Sequence, residues 1–380
     1  MRIGLDGMPL AQPRTGVGTY TFELARALAV AAPQDEFQLI SPLPFESSVL
    51  SDSKPGNLEL SYSKPNVLQR HWWTIGLPSY IARGAFELFH GTNYEAPLRG
   101  DCPTVVTFHD LSMLLHSSTH VPRAVVRARL RLPVIARKAT MIITDSEQVR
   151  REVCDRLRVS SDKVFAVPLA PRSTFKPVAE DTAMETRRRL GIEGDFLLFV
   201  GTVEPRKNLW TLVQALEELL RTTDLRPKLV VAGQIGWKPD EFLKRLQQSP
   251  ARDAVQLVGY LSDSDLSALY SSCKIFIYPS IYEGFGLPPL EAMACGAPVI
   301  ASRIPSVTES SANAARLVSA TDVHELAHNI VQVLRDVSVQ EQLSSAGLKH
   351  AAGFSWEHTA ALTREVYAEA LKRRKSRLRN

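Results

Sequence analysis

The stretch Ile277-Tyr-Pro-Ser-Ile-Tyr-Glu-Gly-Phe-Gly-Leu-Pro-Pro-Leu-Glu-Ala-Met-Ala-Cys-Gly-Ala-Pro-Val-Ile300 decides the fold class. It begins inside an apolar run, residues 274–278, and passes through a loop with Gly284 and Gly286. Pro288 and Pro289 follow. Proline has a fixed φ and no N–H, so it suits the first turn of a helix. Gly296 ends that helix, and a second apolar run follows at residues 298–302. Runs that are apolar throughout, rather than alternating, predict strands covered on both faces by helices. Strand, helix and strand in this order make one parallel unit.

The same alternation extends along the chain. Strands are predicted at residues 3–6, 36–40, 86–90, 104–108, 141–144 and 164–168. A second series is predicted at 196–201, 228–233, 255–258, 274–278, 298–302 and 315–318. Two series without an internal repeat predict two doubly wound, Rossmann-like parallel-sheet domains. The 380 residues agree with that count at roughly 150 residues per domain. Pro171 and Pro177 interrupt the pattern at residues 170–177. The expected division is a first domain at 1–172, a second at 173–354, and a closing helix with a basic tail at 355–380. Trp356, Ala360, Tyr367 and Leu371 fall at helical spacing, so the closing helix has an apolar face to cover.

Hydrophobic residues make up 44% of the chain and charged residues 22%, which excludes a disordered protein. No uncharged apolar run approaches the roughly 18 residues of a membrane helix. The opening MRIGLDGMPL lacks the apolar stretch of a secretory signal. Cys102, Cys154, Cys273 and Cys295 lie far apart without a C-x-x-C pair, so neither a disulfide framework nor a zinc site is expected. These features predict a soluble, cytoplasmic protein without a metal.

The net charge of +5 is unevenly spread. Residues 121–140 hold Arg123, Arg127, Arg129, Arg131, Arg137 and Lys138 and no acid. The tail holds Lys372, Arg373, Arg374, Lys375, Arg377 and Arg379. No aromatic interleaving, zinc knuckle or helix-turn-helix accompanies them, so nucleic acid is not the expected partner. Ordinary solvated surface is one reading, and an anionic membrane surface or phosphorylated acceptor is the other.

Five segments carry candidate chemistry. Arg14-Thr15-Gly16-Val17-Gly18-Thr19-Tyr20 joins the first strand to a helix predicted at 21–28, where glycines allow close approach of a ligand or simply make a turn. His109-Asp110 follows the strand at 104–108, at the strand end where doubly wound sheets bind ligands. Arg206 and Lys207 follow the strand at 196–201, and Asn208 is expected to cap the helix at 209–220. Two cations beside a helix start suit a phosphate or diphosphate. Glu283 in the glycine loop and Glu291, expected in the first helical turn, are separated by seven residues. Such carboxylates accept hydrogen bonds from sugar hydroxyls. Asp263-Ser264-Asp265 reads as part of a capping box with Ser262 rather than as a D-x-D metal motif.

The segment EGFGLPPLEAMACGAPVIAS resembles the E-x7-E motif of retaining GT-B glycosyltransferases, particularly glycosyltransferase family 4. The RTGVGTY loop, VTFHD strand end, VGTVEPRKNL, VAGQIGW, VGYLSDSDLSALY and the closing FSWEHTA helix match in order, so the resemblance spans nearly the whole chain. One departure is Thr202, which stands where many members have arginine after the strand-end glycine.

The resemblance implies two facing Rossmann-like domains, with the closing helix crossing back to the first. It implies retaining, metal-independent transfer of a sugar from a nucleotide-diphosphate donor to an acceptor hydroxyl, with no cofactor. Glu291 would hold the ribose and Glu283 the donor sugar. Phe285, Gly286 and Leu287 would contact sugar and phosphate, Arg206 and Lys207 the diphosphate, and Val258 and Tyr260 the nucleobase. His109 would face the anomeric centre, with Gly16 and Gly18 letting the first domain close over the diphosphate. The pattern favours GDP-mannose, with UDP- or dTDP-sugars open, and a glycan or lipid-linked saccharide acceptor in cell-surface polysaccharide assembly. A nucleotide-sugar epimerase and a non-catalytic nucleotide-sugar sensor are the alternatives.

Overall fold

The computed structural model describes residues 1–11, 16–47, 49, 53–64, 71–236 and 239–379, with backbone only at 239–240 and 375–379. Arg14 and Thr15 of the first glycine loop lie outside the described residues, as do the side chains of Lys375, Arg377 and Arg379. The chain divides into two compact units, Met1–Leu169 with Ser355–Asn380, and Ala170–Phe354.

The first unit is built on seven parallel strands: β1 (Arg2–Asp6), β2 (Glu36–Ser41), β3 (Leu58–Tyr62), β4 (Leu88–Gly91), β5 (Thr104–Phe108), β6 (Met141–Thr144) and β7 (Val164–Ala166). Their order is β3-β2-β1-β4-β5-β6-β7. The central strands β4, β5 and β6 are buried along their whole length, as apolar runs under helices on both faces require. Sequence patterning missed β3. Its residues Leu58-Glu-Leu-Ser-Tyr62 sit at the sheet edge and are mostly half-exposed, so they carry no continuous apolar run.

The closing helix, Trp356–Arg379, packs on helix Gly16–Ala31 and against β5 and β6. Trp356, Ala360 and Tyr367 are buried as their spacing predicts, and Leu371 is half-buried. The Tyr367 hydroxyl pairs with His90 Nδ1 at 2.7 Å, and His90 Nε2 with Thr107 Oγ1 at 2.8 Å. A buried polar pair is costly unless satisfied, so these bonds fix where the helix docks.

The second unit has six parallel strands: β8 (Phe196–Val200), β9 (Lys228–Ala232), β10 (Val255–Gly259), β11 (Ile275–Tyr278), β12 (Val299–Ser302) and β13 (Arg316–Val318). Their order is β10-β9-β8-β11-β12-β13. The order reverses between β8 and β11, which makes the carboxyl ends of these two strands the switch point of the sheet, where a crevice forms. Open α/β sheets bind ligands in that crevice.

Candidate functional site

The loops after β8 and β11 meet at the switch point of the second unit. A short 3-10 turn, Pro205–Lys207, follows β8, and the Ile281 amide donates to the Arg206 carbonyl at 3.0 Å. Arg206 Nη1 then donates to Glu283 Oε2 at 2.8 Å and to the Tyr282 carbonyl at 2.9 Å, while Nη2 meets Glu204 Oε1 at 2.7 Å. Lys207 Nζ donates to Glu283 Oε1 at 2.7 Å and to the Tyr278 hydroxyl at 2.9 Å. Both oxygens of Glu283 thus face a cation.

Burial alone would raise the Glu283 pKa, but Arg206 and Lys207 override it and hold the carboxyl down at about 2. Burial pulls Lys207 down from its ordinary value, with Glu283 opposing. Two cations and the carboxylates of Glu204 and Glu283 leave the cluster formally neutral. Asn208 stands at the N-cap with φ 55°, but its side chain bonds no helix amide as expected; Oδ1 accepts from Thr211 Oγ1 at 2.8 Å, and Nδ2 bridges the Pro279 and Ala320 carbonyls at 3.1 and 2.6 Å.

Gly286 stands at the head of helix Leu287–Ala294 with φ +102°. The left-handed backbone favours glycine, and a Cβ there would also crowd Ser310 Oγ at 3.0 Å. The helix begins at Leu287, which makes Glu291 its fifth residue and places it beyond the first turn expected from the sequence. The Phe285 side chain is buried and edge-on to Phe354, with ring centroids 6.2 Å apart, so its backbone is what it can offer a ligand. Leu287 is half-buried. Val258 and the exposed Tyr260 lie at the end of β10, on the same carboxyl edge of the sheet as Arg206 and Glu283.

Glu291 does not join the Arg206–Lys207–Glu283 cluster. Its partner is Arg172, whose Nη2 lies 3.3 Å from Glu291 Oε1 and whose Nη1 lies 2.5 Å from Asp263 Oδ1. The Arg172 guanidinium also sits over the Phe175 ring, 4.6 Å from its centroid. Burial pushes Glu291 up to about 7 despite the opposing arginine. Sequence reasoning missed Arg172, because it lies in the stretch read only as an interdomain break. Ser262 Oγ accepts from the Asp265 amide at 3.2 Å, which is the expected cap. The two carboxylates of Asp263-Ser-Asp265 are separately engaged, by Arg172 and Arg189.

In the first unit, Gly16 and Gly18 already belong to the helix Gly16–Ala31, which starts five residues earlier than predicted. Gly18 is buried in it. His109 follows β5 directly and is nearly fully buried. Its Nδ1 pairs with Asp145 Oδ2 and its Nε2 with the Thr92 carbonyl, both at 2.8 Å. The Thr92 carbonyl only accepts, so Nε2 carries a proton, while Nδ1 and the Asp145 carboxyl share one, as imidazolium with carboxylate or as neutral ring with carboxylic acid. Burial opposes charge on the ring, but Asp145 and Thr92 raise the His109 pKa above its ordinary value; burial raises the Asp145 pKa as well. The Tyr20 ring meets His109 edge-on at 4.8 Å. Asp145, 36 residues along the chain, was not foreseen.

Residues 184–350 match the family profile described as glycosyl transferases group 1, and residues 14–170 match glycosyltransferase family 4. The chain is 32% identical to O-antigen chain mannosyltransferase B of Escherichia coli, over 97% of this chain and 99% of that protein. Among solved structures it resembles sucrose-phosphate synthase from Thermosynechococcus elongatus, with a TM-score of 0.77 at 20% identity, covering 97% of this chain and 98% of that one. It also resembles Anabaena HepE in complex with UDP and glucose, with a TM-score of 0.75 at 18% identity over 97% and 99%.

Proposed function

The chain belongs to glycosyltransferase family 4 and has the GT-B fold, and from that premise we propose that it transfers mannose from GDP-mannose to an acceptor hydroxyl, retaining anomeric configuration. The observation that carries this reading is the Arg206–Lys207–Glu283 cluster at the switch point between β8 and β11. Transfer breaks the bond from the anomeric carbon to the diphosphate oxygen, and the acceptor oxygen takes its place. Negative charge grows on the leaving diphosphate. Two buried cations in a preorganised loop stabilise that charge, and loss of one such donor costs roughly 3–4 kcal/mol.

In this proposal Arg206 and Lys207 exchange part of their contact with Glu283 for the diphosphate. Glu283 then turns to the donor sugar, and the Phe285–Leu287 backbone meets sugar and phosphate. Glu291 holds the ribose hydroxyls, and Val258 and Tyr260 meet the base. The proposal assigns His109 to the reacting sugar and Gly16 and Gly18 to the diphosphate. It gives residues 1–172 to the acceptor, 173–354 to the donor, and 355–380 to the crossover helix and tail. The similarity to an O-antigen chain mannosyltransferase supports mannose as the sugar and surface polysaccharide or glycolipid as the product class. Such an acceptor places the enzyme in the cytoplasm, in peripheral contact with the inner face of the plasma membrane.

The test is ligand-detected NMR of a nucleotide-sugar panel, followed by transfer to a lipid-diphosphate saccharide. GDP-mannose should bind best and yield an α-linked product. Preferential binding of a UDP- or dTDP-sugar would overturn the donor. Isomerisation of the donor without an acceptor would identify an epimerase, and binding without turnover a sensor.

A further inference from the structure

The first unit has a switch point of its own. Its strands run β3-β2-β1 to one side and β4-β5-β6-β7 to the other, so the order reverses between β1 and β4. Ligands of doubly wound sheets bind at the carboxyl ends of two such strands. β1 ends at Asp6 and β4 at Gly91. The Asp6 carboxyl is buried there, its residue 2% exposed and paired in register with Ile40 of β2.

The backbone at this point is locked. Thr92, the residue after β4, donates its hydroxyl to the Asp6 carbonyl at 3.0 Å and accepts the Thr21 hydroxyl at 2.9 Å. The Thr92 carbonyl accepts from His109 Nε2 at 2.8 Å. One buried threonine thus ties Asp6, His109 and helix Gly16–Ala31 together. Behind it the chain folds back so closely that a Cβ on Gly91 would lie 1.7 Å from the Glu95 carbonyl oxygen, so the strand end needs glycine.

The fold itself uses only part of Asp6. Its Oδ1 accepts the Met8 amide at 3.0 Å, which makes an Asx turn. Its Oδ2 makes no hydrogen bond or ion pair among the described residues. Asparagine would make the same turn without a charge to bury. Burial raises the Asp6 carboxyl to about 7, Glu95 adds to the rise, and the Met8 amide opposes it. Arg127 and Arg131 pair with Glu95, so Asp6 has no cation of its own there. A buried carboxyl of this kind is costly, and its uncommitted oxygen lies at a strand end where ligands bind.

We infer that the switch point between β1 and β4 binds the acceptor saccharide, with Asp6 Oδ2 accepting a hydrogen bond from one of its hydroxyl groups and Thr92 as the positioning residue that holds Asp6 in place. Carboxylates accept sugar hydroxyls in charge-assisted bonds. Two neighbouring acids repel phosphate, which distinguishes this subsite from the Arg206–Lys207–Glu283 cluster of the second unit. The inference rests on the proposed transfer reaction for calling the saccharide an acceptor, and on the Asp6 and Thr92 geometry for the site.

The test uses the full chain and the variants Asp6→Asn, Thr92→Val and Thr92→Ser. Asparagine keeps an oxygen for the Met8 amide, so the turn and the Tm should persist. Steady-state kinetics should show acceptor KM raised about tenfold or more in Asp6→Asn, the worth of one charge-assisted hydrogen bond, with donor KM within about two-fold of wild type. Thr92→Val should also raise acceptor KM, and Thr92→Ser, which keeps the hydroxyl, should restore it. Saturation-transfer NMR with methyl α-mannoside, methyl α-glucoside and methyl N-acetyl-β-glucosaminide, in the absence of donor, reads the subsite apart from turnover. At least one glycoside should bind wild type and lose that binding in Asp6→Asn. Unchanged acceptor KM in Asp6→Asn, or a rise in donor KM in its place, would overturn the inference and leave the proposed function standing. Asp6-dependent glycoside binding by a protein that transfers nothing would do the reverse. A wild-type protein that binds no glycoside and transfers no sugar would overturn both.

Discussion

Arg172 joins Glu291 to Asp263, its two terminal nitrogens lying 3.3 and 2.5 Å from one oxygen of each carboxylate. A guanidinium can bridge two carboxylates in a plane as an ammonium cannot. Arg172→Met should therefore raise the donor KM about tenfold, the worth of one charge-assisted hydrogen bond, and leave kcat within a few-fold. Arg172→Lys should recover only part of the loss. Steady-state kinetics at saturating acceptor measures both. A fall in kcat at unchanged KM would show that Arg172 acts elsewhere than on Glu291.

The Glu291 carboxyl titrates near neutrality, because burial raises it to about 7 against the pull of Arg172. An ionised carboxylate accepts ribose hydroxyls more strongly than a protonated one. Donor KM should thus rise as pH falls from 8 to 6, and Glu291→Gln should flatten that dependence. The stability sign is the reverse. A carboxyl raised above its unfolded value stabilises the fold below about 4.5 and loses that contribution as pH rises through about 7. Glu291→Gln should accordingly narrow the difference in Tm between pH 6 and pH 8. A KM profile in the Gln variant parallel to wild type would assign the titration to another group.

Glu283 titrates in the opposite direction, held at about 2 with both oxygens on cations. Its contribution is complete above about 4.5 and is lost as pH falls toward 2. Glu283→Ala leaves Arg206 and Lys207 buried without that partner, which costs on the order of 3–5 kcal/mol. Glu283→Gln keeps two acceptor or donor atoms in place and should cost less stability, yet lower kcat. Thermal unfolding and kinetics on the same preparations separate the two effects. An alanine variant as stable as wild type would show that the cluster is solvated rather than buried.

Twelve of the thirteen strands described were legible because buried parallel strands read as unbroken apolar runs. β3 was not, since an edge strand with half-exposed positions carries no such run. Of the site, Glu283, Arg206 and Lys207 were legible as types at strand ends, but their direct pairing was not. Nothing local encodes a contact across 76 or 77 residues. Arg172 was hidden for the same reason, with partners 91 and 119 residues away. Asn208 misled because its residue type suggested a side-chain cap, while its side chain bonds Thr211 Oγ1 and two loop carbonyls instead.

His109 is held between Asp145 and the Thr92 carbonyl, and although burial lowers its pKa, these two partners bring it above the ordinary histidine value. Asp145→Asn should lower its pKa, and NMR titration of the His109 Cε1 proton should show the ring still charged at pH 7 in wild type and neutral in the variant. The raised His109 pKa contributes stability that is complete below about 6.5 and is lost as pH rises through the folded value. Loss of activity in the variant in step with loss of ring charge would tie the charge to transfer. An unshifted titration would show that Asp145 does not set it.

Transfer should not depend on a divalent metal. The diphosphate charge is matched in this account by Arg206 and Lys207, which stand at the switch point with their donors already oriented by Glu283 and Tyr278. The one D-x-D sequence weighed as a metal motif is otherwise engaged: Asp263 with Arg172, Asp265 with Arg189, and the Asp265 amide with the Ser262 cap. A metal there would have to displace two arginines, and its charge would be repelled by them until it did. Activity should therefore survive excess EDTA, and Asp265→Asn should leave the rate within about two-fold while lowering Tm slightly, since an exposed ion pair contributes roughly 0–1 kcal/mol. Lys207→Met should do the opposite and lower kcat by about 10²–10³, as expected for a buried donor to developing charge. Complete loss of transfer in chelator, restored by manganese, would overturn the cationic account and return Asp263 and Asp265 to consideration as ligands.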